Sequence, residues 1–181
     1  MAGLNDSVYP MDSIVYSRFS DIKAAPTMTS PQRKIIRRSV KTNPVKEPVM
    51  PHIALQISGH PDTELTRRAV AAVGELTQRV LRKEAGVIAT TVTYIPREQW
   101  FIAGKPLSEY AEGRNAFQLD ISVTDETNTK AEKAQYLAAI FGALSEVIGD
   151  VNPLSYIHVI DARAAAYGYG GKSQEYRHQH G

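Results

Sequence analysis

The sequence predicts an α+β fold in which a tandem β-α-β repeat builds a four-stranded mixed sheet with two helices on one face. Three observations predict it. Strand-like alternation of apolar residues flanks stretches with helical spacing. The two halves repeat that order, and short segments match between them. Leu55-Gln-Ile-Ser58 matches Leu119-Asp-Ile-Ser122 at an offset of 64, and Ala71-Ala-Val73 matches Ala138-Ala-Ile140 at 67.

The first β-α-β unit begins at residue 51. His52–Ser58 alternates apolar and polar residues, as a half-buried strand does. Asp62 is expected to open a helix because a carboxylate favours the positive helix end. An apolar stripe from residue 65 to residue 80 continues it, and Gly86 is the expected stop. Thr90–Ile95, rich in β-branched residues, is the second strand, and residues 102–113 form a connecting loop.

The second unit has the same order of strand-like and helix-like patterns. Residues 117–123 alternate as a strand. Thr129 and Glu132 have the spacing of a capping box, which predicts the start of a helix that ends at Gly149. Tyr156–Ile160 is the fourth strand. Two such units in tandem should each form a parallel strand pair with a right-handed crossover.

The sheet face away from the helices is polar. It is predicted to carry His52, Gln56, Gln118, Asp120, Ser122 and His158, mixed with Ala54. This face is too polar to take a second layer of helices. Self-association, with the sheets of several subunits around a wet centre, would cover it.

The chain divides in composition at residue 50. Residues 1–50 contain scattered prolines and eight Lys or Arg against four Asp or Glu, a net charge of +4. Residues 51–181 carry thirteen against fifteen, a net charge of −2. We therefore expect a disordered basic extension over 1–50 and a globular domain over 51–181. The domain has no basic footprint, so no nucleic-acid partner is expected for it.

Composition also limits the other partners. The chain has no cysteine, and its five histidines form no His-x-x-x-His pair, so a metal site is not expected. No apolar run approaches the ~20 residues that span a bilayer, and no signal-peptide core is present at the N-terminus. A cytoplasmic protein without a membrane partner is the expectation.

The methionines single out Pro51. All four, at positions 1, 11, 28 and 50, precede the domain, and each is a candidate translation start. A start at Met50 followed by removal of that residue would expose the Pro51 nitrogen as a secondary amine. Within a longer chain the same nitrogen is an amide without basicity. In that case Pro51 is an ordinary strand-opening proline.

The duplicated unit beginning Met50-Pro51-His-Ile resembles the tautomerase superfamily, which includes 4-oxalocrotonate tautomerase and macrophage migration inhibitory factor. Tyr167-Gly-Tyr-Gly-Gly171 is similar to the Phe-Gly-Ile-Gly-Gly tail of the former. Leu154–Tyr169 aligns without gaps with the latter. The resemblance covers residues 51–177. It implies a cofactor-free keto–enol tautomerase, usually a homotrimer, in which a free N-terminal proline moves a proton in a small 2-oxo or enol acid.

The resemblance also implies a set of site residues. Pro51 would be the acid/base catalyst. Tyr156 and His158 fall on pocket positions of migration inhibitory factor, Lys83 lies where that protein has a lysine near its pocket, and Tyr167 matches a pocket aromatic of 4-oxalocrotonate tautomerase. Trp100 holds the equivalent place in the first repeat. Arg114, just before the third strand, is a candidate carboxylate clamp without a family counterpart.

Other interpretations stay open for each of these residues. Tyr156 and His158 could simply be polar residues of the open sheet face. Lys83 could be an exposed lysine at a helix end, and Trp100 and Tyr167 could pack at a subunit interface. For the whole protein, one alternative is a non-catalytic trimeric binding module with a basic arm. The other is a decarboxylase or hydratase of the same superfamily. The arginines that 4-oxalocrotonate tautomerase uses for a dicarboxylate have no clear counterparts here, which favours a monocarboxylate substrate.

Overall fold

A computed structural model describes residues 51–180 of the chain, and all of them fall within one compact unit. Its main sheet has four strands in the order β2-β1-β5-β6. These are β1 (His52–Ser58), β2 (Ala89–Ile95), β5 (Phe117–Thr124) and β6 (Tyr156–Ala162). The expected basic extension over residues 1–50 lies outside the described residues.

Strand directions confirm the two-unit architecture. β1 pairs in parallel with β2, and β5 pairs in parallel with β6. The two units join through an antiparallel β1–β5 pair at the centre of the sheet, where His52 lies opposite Ser122 and Ile57 opposite Phe117. The N-terminal end of β1 is therefore next to the C-terminal ends of β5 and β6.

The two long helices begin as the sequence predicts. α1 (Thr63–Leu81) starts after Asp62, whose side chain accepts a hydrogen bond from the Leu65 amide. α2 (Lys130–Ile148) starts after Thr129 with both hydrogen bonds of the capping box to Glu132 in place, and it ends at Gly149. Side-chain caps of this kind satisfy amides that the first helical turn leaves free.

The predicted end of α1 at Gly86 was wrong. The helix ends at Leu81, and Arg82 takes the left-handed conformation (φ 56°) that caps it. Glycine is the usual residue in that conformation, which is why the sequence pointed to Gly86. Gly86 instead lies in a short 3-10 turn over Ala85–Val87 that leads into β2.

The predicted loop over residues 102–113 contains all of a small hairpin except its first residue, Phe101. Its strands are β3 (Phe101–Ile102) and β4 (Lys105–Pro106). The second repeat has a matching hairpin of β7 (Gly168–Tyr169) and β8 (Lys172–Ser173), followed by α3 (Gln174–His180). The two hairpins occupy equivalent places at an offset of 67. Each is closed by a matching backbone hydrogen bond: the Leu107 amide donates to the Trp100 carbonyl at 2.9 Å, and the Gln174 amide donates to the Tyr167 carbonyl at 2.8 Å.

The core lies between one sheet face and the two helices. Strand side chains that are 0–1% exposed pack there against the buried faces of α1 and α2, and Phe117 also contacts the ring of Phe141. Alternate strand residues point to the opposite face, as the strand period requires. Across that open face Thr91, Ala54, Asp120 and His158 form one row.

None of the helices in the described part of the chain is both long and apolar enough to cross a membrane.

Candidate active site

Pro51 lies at the start of β1 and is buried. Its carbonyl accepts a hydrogen bond from the Ala89 amide at 3.3 Å, so the β1–β2 ladder fixes the position of the residue. The C-terminal ends of β5 and β6 are at the same end of the sheet. Side chains on the segments that follow those two strands can therefore surround the Pro51 nitrogen.

Tyr167 is one of these side chains. Its hydroxyl donates to the Ser122 carbonyl at 3.2 Å and also hydrogen-bonds the backbone of His52. Burial raises the pKa of this phenol, and the bond to His52 partly offsets the effect. Tyr167 thus stays a neutral donor near neutral pH. Its two partners lie opposite each other in the β1–β5 pair, and one of them, His52, directly follows Pro51 in the chain.

Lys83 lies at the same end of the molecule. It follows the left-handed turn at Arg82 that ends α1, and its side chain is only 7% exposed. The ammonium donates to the Thr127 hydroxyl at 2.9 Å, on the turn after β5. Lys83 is therefore not an exposed helix-end lysine. No sequence pattern pointed to its partner Thr127, because that residue lies in a loop without periodicity.

Tyr156 and His158 lie on the open sheet face, at a distance from Pro51 within one chain. His158 pairs with Asp120, which lies opposite Ala54, about 10 Å along the strand from Pro51. Tyr156 is two residues further away and 69% exposed. The His158 Nδ1 atom is 3.6 Å from the Asp120 carboxylate. A single subunit does not bring these two side chains to Pro51.

Arg114 and Trp100 belong to the opposite end of the sheet. Arg114 precedes β5, and its Nε atom binds the Asp150 carboxylate at 2.9 Å. Trp100 follows β2, so it lies near the start of β5 and away from the start of β1. Within one chain the structure therefore groups Pro51, Tyr167 and Lys83 at one end, and Trp100 and Arg114 at the other.

The described residues contain no group of three or more His, Asp or Glu side chains placed to hold a metal ion. The groups that the structure brings to the Pro51 end are a nitrogen at a strand start, the Tyr167 phenol and the buried Lys83 ammonium.

Comparisons with known proteins identify the fold. No protein-family model matches the sequence, and no curated protein matches it. Solved structures do match, and three of them represent the range. A fused 4-OT that forms a symmetric trimer has 13% sequence identity and a TM-score of 0.56, over 70% of this chain and 98% of its own.

The other two structures come from different branches of the tautomerase superfamily. A macrophage migration inhibitory factor-like protein from Entamoeba histolytica has 16% identity and a TM-score of 0.56, over 68% of this chain and 98% of its own. FG41 malonate semialdehyde decarboxylase, inhibited by 3-bromopropiolate, has 18% identity and a TM-score of 0.55, over 69% and 93%. The predicted resemblance to the tautomerase superfamily is thus confirmed at the level of the fold.

Proposed function

We propose that this protein is a cofactor-free keto–enol tautomerase, which acts on a small 2-oxo acid through the amine of Pro51 in a form of the chain that starts at that residue. The observation that carries the proposal is the position of Pro51. It opens β1 of a fold shared with tautomerase superfamily structures, and the next residue, His52, is hydrogen-bonded to the Tyr167 hydroxyl.

A free Pro51 amine has suitable acid–base properties. An α-amino group titrates at about 7.7–8.0, and burial favours its neutral form, which leaves a base near working pH. The amine would take a proton from the carbon next to the substrate carbonyl. The electron pair of that C–H bond forms the C=C bond, the π pair of the carbonyl moves to its oxygen, and the ammonium returns the proton to that oxygen to give the enol. The reverse sequence gives the keto form.

The developing oxygen charge and the substrate carboxylate need donors. Lys83 and Tyr167 lie at the Pro51 end of the same subunit. Tyr156 and His158 reach a Pro51 site only if they come from a neighbouring subunit, because within one chain their strand positions are too far along the sheet. The proposal therefore includes self-association, as a homotrimer, through the open sheet face.

The first prediction concerns Pro51 itself. In the 131-residue form that starts at Pro51, Pro51→Ala should lower kcat/KM for the enol–keto conversion of phenylenolpyruvate by roughly 100- to 10,000-fold, the usual contribution of general acid–base catalysis. Keeping Met50 in place should have the same effect, because it turns the amine into an amide while leaving every side chain unchanged. The measurement is an absorbance assay of the enol.

The matched control is Pro61→Ala, an exposed proline between β1 and α1, which should leave the activity unchanged. Activity that survives both Pro51→Ala and the retention of Met50 would contradict the proposal. Terminal sequencing of the protein from its native host decides whether the active form exists there.

Two other functions use the same fold. The match to a malonate semialdehyde decarboxylase makes decarboxylation of a 3-oxo acid the second candidate. Release of CO₂ by the Pro51 form, without enol–keto conversion, would favour it. If residues 1–50 are retained in the native protein, the amine does not exist. A trimeric binding module with a basic arm is then the expected function, and its binding to RNA or anionic vesicles should weaken with salt.

A further inference from the structure

The second repeat has a cavity where the first repeat has the Pro51 end. The offset of 64 that aligns β5 with β1 makes Asn115 the counterpart of Pro51. A cavity of about 310 Å³ opens there, lined by Arg97, Glu98, Leu107, Ser108, Arg114 and Asn115. Asn115 lies seven residues before Ser122, the partner of His52, so the cavity is about 23 Å along the sheet from Pro51.

Arg97 enters this cavity as a fixed cation. Its Nε atom donates to the Arg114 carbonyl and to the Asn115 Oδ1 atom, both at 3.1 Å, and its Nη2 atom donates to the same Oδ1 atom at 2.5 Å. Asn115 is itself held by its bond to the Gly149 carbonyl at 2.8 Å. All these acceptors are neutral. Within residues 51–180, no carboxylate lies within 4.0 Å of Arg97, and its Nη1 atom makes no hydrogen bond.

The guanidinium group of Arg114 is also anchored on one side, through its Nε atom. Its Nε atom binds the Asp150 carboxylate, which accepts further bonds from the Gly113 amide (2.8 Å) and the Arg114 amide (3.3 Å). These bonds, first of all that to the Arg114 side chain, lower the pKa of Asp150, so the anchor stays ionised well below neutral pH. In the described part of the chain, both terminal nitrogens of Arg114 are without a hydrogen bond.

We propose that this cavity is a second ligand site, which binds a small monocarboxylate through the terminal nitrogens of Arg97 and Arg114. A guanidinium fork matches the two oxygens of a carboxylate, and here both forks are held by contacts that leave their ends unused. The volume is within the range of small-molecule sites. The Ser108 hydroxyl, on the cavity wall, can bind a polar substituent on the ligand.

The surrounding charges select a single negative charge. Glu98 also lines the cavity, and Asp150 is already paired with Arg114. The Glu98 carboxylate repels a dianion such as phosphate more strongly than a monocarboxylate, which can place its single charge between the two guanidinium groups. The site binds without turnover, because an asparagine amide stands where the first repeat has proline and supplies no base. The inference is independent of the proposed function, since it uses no residue of the Pro51 end.

The test is a titration of the full-length protein with pyruvate, followed by NMR at constant ionic strength. Saturable shifts are expected at the Arg97 and Arg114 Nε–H groups and at the Ser108 amide, and a parallel titration with inorganic phosphate should bind at least tenfold more weakly. Arg114→Gln and Arg97→Lys should each weaken pyruvate binding tenfold or more. Glu98→Gln should reduce the difference in affinity between pyruvate and phosphate. Arg79→Gln, at an exposed pair with Glu75 on α1, is the matched control and should change nothing.

Absence of saturable shifts at these groups would overturn the proposal, and so would pyruvate binding that Arg114→Gln leaves intact. Pro51→Ala in the full-length protein should leave binding at this cavity unchanged. A failure of the tautomerase assay together with normal pyruvate shifts here would therefore count against the proposed function alone.

Discussion

Tyr167 links the C-terminal hairpin to the start of β1 through one hydroxyl. Tyr167→Phe keeps the ring but removes the bonds to Ser122 and His52. The free energy of unfolding should fall by roughly 1–3 kcal/mol, the usual net value of two such bonds. In the Pro51 form, kcat/KM should fall about tenfold. Urea unfolding and the enol assay measure the two effects.

The matched control is Tyr169→Phe, two residues further along. The Tyr169 ring lies under the Arg177 guanidinium at 3.8 Å, and phenylalanine preserves that contact. Equal losses in both variants would show that the Tyr167 hydroxyl has no special role.

A buried pair of hydroxyl groups joins the two long helices. The Thr77 hydroxyl on α1 and the Tyr136 hydroxyl on α2 are 2.9 Å apart, and both residues are fully buried. Burial raises the pKa of Tyr136 to about 12 from 10.0. The unfolded chain therefore loses this proton at a lower pH than the folded one. The stability that this group contributes is complete below pH 10 and is lost as pH rises through 12.

Between pH 9 and pH 11 the free energy of unfolding should fall by about 1 kcal/mol through this group alone. Other tyrosines and lysines titrate in the same range, so the measurement is the difference between the wild type and Tyr136→Phe in urea melts. That variant lacks the titrating group, and Thr77 keeps its bond to the Val73 carbonyl. Parallel pH curves for the two proteins would contradict the prediction.

Individual residues were predictable only where a pattern or a resemblance marked them. Pro51 and Tyr167 were named from the matched start and tail of the duplicated unit, and the structure places them at the same end. Arg97 was missed because one arginine in a loop carries no periodic signal. The internal repeat was the usable clue, because it makes Asn115 the counterpart of Pro51 and directs attention to the residues around Asn115.

The C-terminal hairpin depends on glycine at the first position of β7. A Cβ atom at Gly168 would lie 2.1 Å from the Lys172 carbonyl oxygen and 2.6 Å from the Ser173 Cα atom, both backbone atoms of β8. Gly168→Ala must therefore separate the two strands. We expect a loss of about 2 kcal/mol in unfolding free energy, typical of overpacking, and displacement of the adjacent Tyr167.

Gly142→Ala provides the control for that substitution. Gly142 lies within α2, and a Cβ atom there would meet nothing within 4 Å. Alanine should stabilise the helix by roughly 0.5–1 kcal/mol relative to glycine. If thermal unfolding shows that Gly168→Ala lowers the unfolding free energy and Gly142→Ala raises it, the predicted clash is supported. A neutral Gly168→Ala would contradict it.

Long elements were predictable, and short ones were not. Seven- and eight-residue strands and nineteen-residue helices extend over enough periods for alternation and spacing to be read. The strands of the two hairpins have only two residues each, which is too few for any period. The end of α1 at Arg82 was missed for another reason. Arginine rarely takes a left-handed conformation, and here the cap bond from Arg82 to the Thr77 carbonyl accompanies it.

The open sheet face sets the expected assembly of the whole molecule. Ala54 lies at its centre, between Thr91 of β2 and Asp120 of β5. Sedimentation equilibrium of the wild type should give three times the mass of the chain. Ala54→Glu would place a charge beside Asp120 in the covered surface, and we expect it to yield monomers, because an unpaired charge is costly to bury.

Ala71→Glu makes the same chemical change at an exposed position of α1 and should leave the trimer intact. A wild-type monomer at micromolar concentration would contradict both the assembly and the contribution of Tyr156 and His158 to a neighbouring site. It would leave Pro51, Tyr167 and Lys83 as the residues to test.

The antiparallel pairing of β1 with β5 makes the two units one cooperative body. Each unit alone has a two-stranded sheet, and two strands do not hold together in water without further packing. Backbone amides of β1 and β5 lie between neighbours on both sides, so their hydrogen exchange requires global unfolding. Their exchange rates should therefore converge on one value, although the strands belong to different halves of the chain. A chain cut between the repeats should regain protection only when both fragments are present.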